Sequence, residues 1–82
     1  MAHIIKRSVV VNFKTYKSGS GKAAELLAKK LAKKGVILAV QNADIYRIAK
    51  AVRVPVYGQH VDAAGCGQYT GKDTAETLKY NG

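Results

Sequence analysis

The chain has few of several residue types, and each shortage excludes a class of protein. Only one cysteine, Cys66, occurs among the 82 residues, which excludes an internal disulfide framework and favours a reducing compartment. No apolar run approaches the roughly 20 residues of a membrane-spanning helix, and the N-terminus lacks the apolar core of a signal peptide. We therefore expect residues 1–82 to form a single small cytoplasmic domain with little stability in reserve.

Acidic residues are scarce as well. Five Asp and Glu stand against 14 Lys and Arg, which gives a net charge of +9. This excess fits a nucleic acid partner, an anionic ligand or a solvated helix face rich in lysine. Lysines at positions 29, 30, 33 and 34 crowd the end of one predicted helix, and no aromatic residue interleaves with them. We therefore interpret them as a solvated face and expect no nucleic acid and no membrane partner.

The pattern of apolar residues predicts three β-strands. The first spans Ser8–Tyr16. Its two faces carry Val9, Val11 and Phe13 on one side and Ser8, Val10, Asn12 and Lys14 on the other. The second is the continuous apolar run Val36–Val40, which is typical of a strand covered on both faces. The third spans Val54–Val61, with Pro55 near its start, where a missing N–H does least harm.

A helix is predicted after each of the first two strands. The first helix spans Lys22–Lys34, with Ser20 as its cap and Gly35 as the residue that ends it. The second follows a turn at residues 41–43, and Asp44 can cap it. The spacing of apolar residues predicts buried stripes formed by Ala24, Leu27, Ala28 and Leu31, and by Ile45, Ile48, Ala49 and Val52.

The third strand is followed by a loop, Asp62–Gly71, and by a third helix, Asp73–Tyr80. Asp73 and Glu76 resemble a capping box, and Gly82 stands where a glycine often ends a helix. The resulting order, strand then helix three times, predicts an α/β fold with parallel strands and right-handed crossovers. Three strands are few for such a fold, because two strand edges and one sheet face stay without a partner.

Four segments resemble triosephosphate isomerase, in the order in which that family has them. Val10-Val-Asn-Phe-Lys-Thr-Tyr16 is similar to its first strand in the archaeal form, and Val54-Pro-Val-Tyr-Gly-Gln-His-Val-Asp62 is similar to its third strand. Gly67-Gln-Tyr-Thr-Gly71 is similar to its third loop, and Ala75-Glu-Thr-Leu-Lys-Tyr-Asn-Gly82 to its third helix. Together the segments cover nearly the whole chain, so chance is a poor explanation.

The resemblance implies three β/α units of a TIM (β/α)8 barrel, whose full form has roughly 250 residues. The complete enzyme interconverts dihydroxyacetone phosphate and glyceraldehyde 3-phosphate, and it is itself a standard example of catalysis by a glutamate base and a neutral histidine. In the family these two residues follow the sixth and fourth strands. His60 matches a third-strand position and His3 lies at the wrong end of the first strand, so neither is that histidine. The resemblance therefore implies a truncated chain that is inactive alone.

The resemblance also implies site residues. Asn12 and Lys14 match the first-strand pair that contacts substrate, where a fixed ammonium stabilises substrate oxygens. In family dimers the threonine matched by Thr70 inserts beside the neighbouring subunit's Asn–Lys pair. The interface residues implied around it are Gln68, Tyr69, Thr70 and Gly71. Lys72 replaces a common glutamate, which puts the usual ion pair between subunits in doubt. No cofactor and no metal are implied.

Other interpretations stay open. Gly19-Ser-Gly-Lys22 has the setting of a phosphate-binding loop, but Tyr16 replaces its first glycine and Ala23 its magnesium-binding hydroxyl. The N-terminus of the first helix could still hold an anion. Cys66 has no neighbouring base and is interpreted as an exposed loop thiol.

The role of the chain is open between part of an isomerase, one piece of a split enzyme and a non-catalytic oligomeric α/β module. The uncovered sheet face that carries Ser8 and Val10 would expose apolar surface, which soluble monomers rarely tolerate. We therefore expect a homo-oligomer, a dimer or a tetramer, that buries these inner faces, with contacts from Asp62–Gly71. Triose phosphate is expected to bind weakly at most.

Overall fold

The computed structural model describes residues 7–82, in which strands and helices alternate three times. The elements are β1 (Val9–Asn12), α1 (Gly21–Leu31), β2 (Val36–Val40), α2 (Ile45–Ala51), β3 (Val56–Gly58) and α3 (Ala75–Tyr80). Short 3-10 helices, Lys17–Gly19 and Asn42–Asp44, precede α1 and α2. Across residues 7–82, no helix is long and apolar enough to cross a membrane. His3 lies outside the described residues.

The three strands form one parallel sheet in the order β1-β2-β3. Val10 pairs with Ile37, and Ala39 pairs with Tyr57, so β2 is the central strand and has a partner on each side. Within residues 7–82 the sheet does not close, and β1 and β3 are its edges. The predicted α/β class, with parallel strands that alternate with helices, is confirmed.

The core lies on one face of this sheet. The pairing register places Val11, Leu38 and Val56 on that face, where the helices cover them. The buried cluster consists of Phe13, Ala24, Ala28, Leu38, Val40, Ile45, Ile48 and Val56. Leu27, Leu31, Ala49 and Val52 are half-buried against it. The predicted stripes of the first two helices are therefore confirmed.

The opposite face of the sheet has no covering layer in residues 7–82. We call it the open face; its residues are Val10, Asn12, Ile37, Ala39 and Tyr57. Val10 and Tyr57 are 56% and 55% exposed, whereas Ile37 on the central strand is buried. The expectation of an uncovered apolar face therefore holds at the two edge strands, but the face is interrupted at its centre.

Two strands are shorter than predicted. β1 ends at Asn12 rather than continuing to Tyr16, because Lys14 adopts a φ of 52°, which extended backbone does not allow. β3 is limited to Val56–Gly58 instead of Val54–Val61. After Gly58 the N–H of Gln59 donates to a side chain, the Asn42 Oδ1, 3.1 Å away, instead of joining the strand ladder.

Helix ends also differ from the predictions. α1 stops at Leu31, because the N–H of Lys33 donates to the Leu31 carbonyl at 2.8 Å and closes a three-residue turn. Gly35, with φ 89°, therefore serves the turn into β2 and does not end the helix. At α3 the cap is Thr74, whose side chain accepts the N–H of Thr77 at 3.2 Å, and not Asp73.

Truncating Leu38 tests the one-sided core. Leu38→Ala is expected to cost about 2–5 kcal/mol, because a fully buried side chain leaves a cavity. Urea unfolding followed by circular dichroism measures the loss. Leu26→Ala removes the same atoms at a 52% exposed position on α1 and should cost about 0.5 kcal/mol or less. Equal losses for the two variants would contradict the packing described here.

Candidate active site

The carboxyl end of β1 carries the two residues that sequence considerations singled out. Asn12 is the last residue of the strand, Phe13 is buried, and Lys14 follows. The Asn12 Oδ1 accepts the backbone N–H of Lys14 at 2.8 Å. This local bond holds Lys14 in its left-handed conformation, which is rare for a residue with a side chain and often marks a functional site.

Gln59, which follows the opposite edge strand β3, also binds the carboxyl end of β1. Its Nε2 donates to the Lys14 carbonyl at 3.0 Å and lies 3.4 Å from both the Asn12 Oδ1 and the Ala39 carbonyl. One amide that follows β3 therefore joins the carboxyl ends of β1 and β2. Sequence considerations missed this role, although Gln59 lies within the segment that resembles the family's third strand.

The Lys14 side chain is exposed beyond this anchored backbone. Within residues 7–82 no carboxylate pairs with its ammonium, since the ion pairs there involve Glu25 and Asp62. An unpaired ammonium on a fixed backbone is suited to attract the oxygens of an anionic ligand. Asn12 and Lys14 are thus brought together at the ligand-binding edge that parallel sheets commonly use.

The first loop, residues 13–20 between β1 and α1, is held by polar contacts with the turn that follows β2. The Ser20 Oγ donates to the Tyr16 carbonyl and accepts from Gln41 Nε2, each at 2.7 Å. Gly19 lacks the Cβ that would come within 2.8 Å of the Phe13 carbonyl, so the 3-10 helix can lie against the end of β1. The residues between β1 and α1 are therefore held against the end of β1 and against the turn after β2.

The start of α1 is capped differently from the prediction. Ser20 occupies the capping position without capping, and the carboxylate of Asp44 accepts the Gly21 N–H at 3.0 Å instead. Asp44, expected to cap α2, thus serves α1 and makes no cap bond in its own helix. A carboxylate at this position disfavours a second anion, so neither the phosphate-loop interpretation nor a bound anion has support here.

The long segment between β3 and α3, residues 59–74, is held in place by a group of hydrogen bonds. The Asn42 Nδ2 donates to the His60 carbonyl at 2.7 Å and to Asp73 Oδ2 at 2.8 Å. Gly58 permits this approach, because a Cβ there would collide with the Asn42 amide oxygen. Asp62 Oδ2 accepts the Asp73 N–H at 2.7 Å and lies 2.9 Å from His60 Nε2. The two ends of the segment are thereby tied to the turn after β2.

The predicted interface residues lie in this segment and are exposed. They are Gln68, Tyr69, Thr70 and Gly71. The Tyr69 N–H donates to the Gly67 carbonyl at 2.9 Å, and Gly71 has a φ of 75° that favours glycine. The contact predicted for them is with the Asn–Lys pair of a neighbouring subunit, so their interface role stays a prediction.

The Cys66 thiol is also exposed in this segment, as expected. Its Sγ lies 3.8 Å from a carboxylate oxygen of Glu76. Residues 7–82 hold no cluster of three His, Cys, Asp or Glu that could bind a metal ion.

Comparison with known proteins identifies the family. The family described as "Triosephosphate isomerase" matches residues 7–82, which include every element of the fold. The chain belongs to the triosephosphate isomerase family. The three parallel β/α units correspond to the N-terminal units of its barrel, and the resemblance noted in the sequence is confirmed.

Archaeal members of the family are similar to this chain along most of its length. The triosephosphate isomerase of Methanococcoides burtonii is 40% identical over an alignment of 81 residues that covers 92% of this chain and 37% of the relative. That of Archaeoglobus fulgidus is 42% identical over 76 residues, covering 85% and 34% of the two chains. That of Methanobacterium bryantii is 42% identical over 80 residues, covering 90% and 35%. The chain therefore spans little more than a third of the length of these relatives.

Asp62 gives the fastened segment a dependence on pH. The N–H of Asp73 lowers the pKa of the Asp62 carboxyl below 3.8, and the bond to His60 lowers it further. A lowered pKa means that the carboxylate contributes stability above about pH 3.8, and that this contribution is lost as the pH falls through the lower folded-state pKa.

We therefore expect Asp62→Asn to reduce the free energy of unfolding near pH 5, and the difference from the unsubstituted chain to shrink as the pH is lowered below 3.8. Urea unfolding at several pH values measures it. Glu76→Gln, which removes an exposed carboxylate outside this group of bonds, is the control. A difference that stays constant over this pH range would contradict the assignment.

Proposed function

We propose that the Asn12–Lys14 pair forms the first-strand part of a triosephosphate isomerase active site. In that role Lys14 binds oxygens of a triose phosphate, and Asn12 contacts the same ligand. The observation that carries the proposal is the doubly held backbone of Lys14, with Asn12 Oδ1 on its N–H and Gln59 Nε2 on its carbonyl. Such pre-organisation reduces the free energy needed to orient a charged group at the moment of reaction.

The family reaction interconverts dihydroxyacetone phosphate and glyceraldehyde 3-phosphate, a cytoplasmic step of glycolysis and gluconeogenesis. Its glutamate base and neutral histidine come from later strands of the barrel. The 82 residues supply three strands and a substrate contact, so we propose that this chain alone does not turn over triose phosphates. General acid–base catalysis contributes about 10²–10⁴-fold, and that contribution depends on a positioned base.

Binding of triose phosphate tests the role of Lys14. We expect a dissociation constant of about 1 mM for the chain alone, because a single ammonium makes the main contact. This corresponds to a binding free energy of about 4 kcal/mol. Titration of an ¹⁵N-labelled chain with dihydroxyacetone phosphate, followed by NMR, measures it. Lys14→Ala should weaken binding about tenfold or more, whereas Lys17→Ala, an equal loss of charge three residues later, should not.

The same samples test turnover. No isomerase activity above that of buffer is expected in a coupled assay, with or without the Lys14→Ala substitution. Activity that disappears in Lys14→Ala would show that the chain recruits a base of its own. Micromolar binding, or equal losses for the two alanine variants, would contradict the proposed contact.

We also propose that copies of this chain associate through the open face. Val10 and Tyr57 lie on that face more than half exposed, and β1 and β3 each have one edge without a partner strand in residues 7–82. Uncovered apolar surface and free strand edges both favour association. Two-fold symmetry is the commonest solution, so a dimer is favoured over a tetramer. Such an assembly is the basis of the second candidate function, in which the chain acts as a non-catalytic oligomeric α/β module.

Light scattering at low micromolar concentration tests the association. The unsubstituted chain is expected to be a dimer or a tetramer, and Val10→Lys on the open face should shift it to a smaller species. Val61→Lys, at a 54% exposed position outside that face, is the matched control and should leave the mass unchanged. A monomer that unfolds cooperatively at this concentration would contradict association.

A further inference from the structure

A second surface of the molecule, away from the strand ends, is strongly basic. It lies on the outer side of α1 and α2 and on the turn that follows α1. We call it the basic face; its residues are Lys22, Lys29, Lys30, Lys33, Lys34, Tyr46, Arg47 and Lys50, all of them exposed. Five of its seven cations lie on the two short helices and two lie on the turn after α1. Neither the isomerase reaction nor the open face uses them.

The two helices present one continuous surface. Glu25 of α1 lies 3.4 Å from the Lys29 ammonium and 4.0 Å from the Arg47 guanidinium of α2, so it joins cations of both helices. The other carboxylate of residues 21–51, that of Asp44, is buried and accepts the Gly21 N–H. The positive charge of the basic face is therefore largely uncompensated.

An aromatic ring lies within this surface. Tyr46 is 53% exposed, and the Lys50 ammonium lies 4.8 Å from the centre of its ring and donates to its hydroxyl at 3.0 Å. The lysine cluster of α1 has no aromatic residue of its own, which is why the sequence led us to expect no nucleic acid partner. The fold adds Tyr46 from α2 to the same surface and removes that ground. Exposed aromatic rings among cations are the combination that binds single strands, because bases stack on the ring while phosphates pair with the cations.

We propose that the basic face binds single-stranded nucleic acid, with phosphates held by its Lys and Arg residues and a base stacked on Tyr46. An anionic membrane fits this surface less well. Apolar residues of the two helices, among them Ala24 and Ala28 of α1 and Ile45 and Ile48 of α2, are buried in the core of the protein itself. Leu26 of α1 is 52% exposed, but one such side chain does not form the apolar stripe with which membrane-bound helices enter a bilayer interface.

Fluorescence anisotropy with a labelled oligothymidylate of 20 nucleotides tests the proposal with the full chain. If about four phosphates are contacted, affinity should fall about 50-fold between roughly 50 and 200 mM salt, since each contact on a single strand contributes about −0.7 to the logarithmic slope. Tyr46→Ala should weaken binding about fivefold or more, through lost stacking. Tyr80→Ala removes an exposed ring from α3 and should not.

The double variant Lys30→Gln/Lys33→Gln separates a specific surface from overall charge. It leaves the ion pairs and side-chain hydrogen bonds of the basic face in place, because among the described residues these involve Lys29, Arg47 and Lys50 instead. It should lower the salt slope by about 1.4, because two phosphate contacts are lost. Lys72→Gln/Lys79→Gln removes the same charge outside the basic face and should leave the slope unchanged. Circular dichroism checks that each variant is folded. The salt dependence of binding by the unsubstituted chain tests the proposal even if a variant does not fold.

Three results would overturn the proposal. The first is the absence of binding at about 50 mM salt. The second is an equal effect of the two double variants, which would mean that net charge alone attracts the oligonucleotide. The third is binding to vesicles of phosphatidylserine and phosphatidylcholine that the oligonucleotide does not compete away, which would identify a lipid surface as the partner.

Discussion

Burial of the central strand β2 is the constraint on which the rest of the structure depends. Leu38 and Val40 are fully buried, and both neighbouring strands pair with β2 rather than with each other. The helices cover only one face, so most apolar burial is concentrated there, at about 1.5–3 kcal/mol for each large side chain. The open face follows directly from this arrangement. It is the sheet face opposite the one on which the helices and the buried core lie.

Polar side chains, rather than apolar packing, position the loops at the carboxyl ends of the strands. Gln59 joins the ends of all three strands, and Asn42 and Asp62 fasten the segment after β3. In residues 7–82 no buried side-chain nitrogen or oxygen atom is left without a hydrogen-bond partner. Within the described part of the chain, the bonds that position Lys14 leave its ammonium without a carboxylate partner, so the candidate site combines a backbone held at two points with an exposed positive charge.

The features that sequence predicted well depend on local periodicity. The strand Val36–Val40 was predicted with its observed bounds, since a continuous apolar run has few alternatives. The helix stripes follow equally directly from their spacing. The ends of elements were predicted less well, because single hydrogen bonds decide them and these leave no periodic pattern in the sequence. The left-handed Lys14 is held by Asn12, two positions before it, through a bond between a side chain and the backbone. The capping of α1 by Asp44 joins residues 23 positions apart and has no local signal. Gln59, 45 positions from Lys14, escaped notice for the same reason.

The hydrogen bond from the Gly21 N–H to Asp44 also has a consequence for the order of events during synthesis. The whole of α1, which ends at Leu31, is synthesised before the carboxylate of Asp44 that caps it. A capping contact of this kind contributes about 0.5–2 kcal/mol, a considerable share for an isolated helix of 11 residues, which is marginal in water. The first β/α unit therefore cannot reach its final stability alone. It gains the capping bond only after the turn that follows β2 has been synthesised. The first two β/α units are therefore expected to reach their final stability together rather than one after the other.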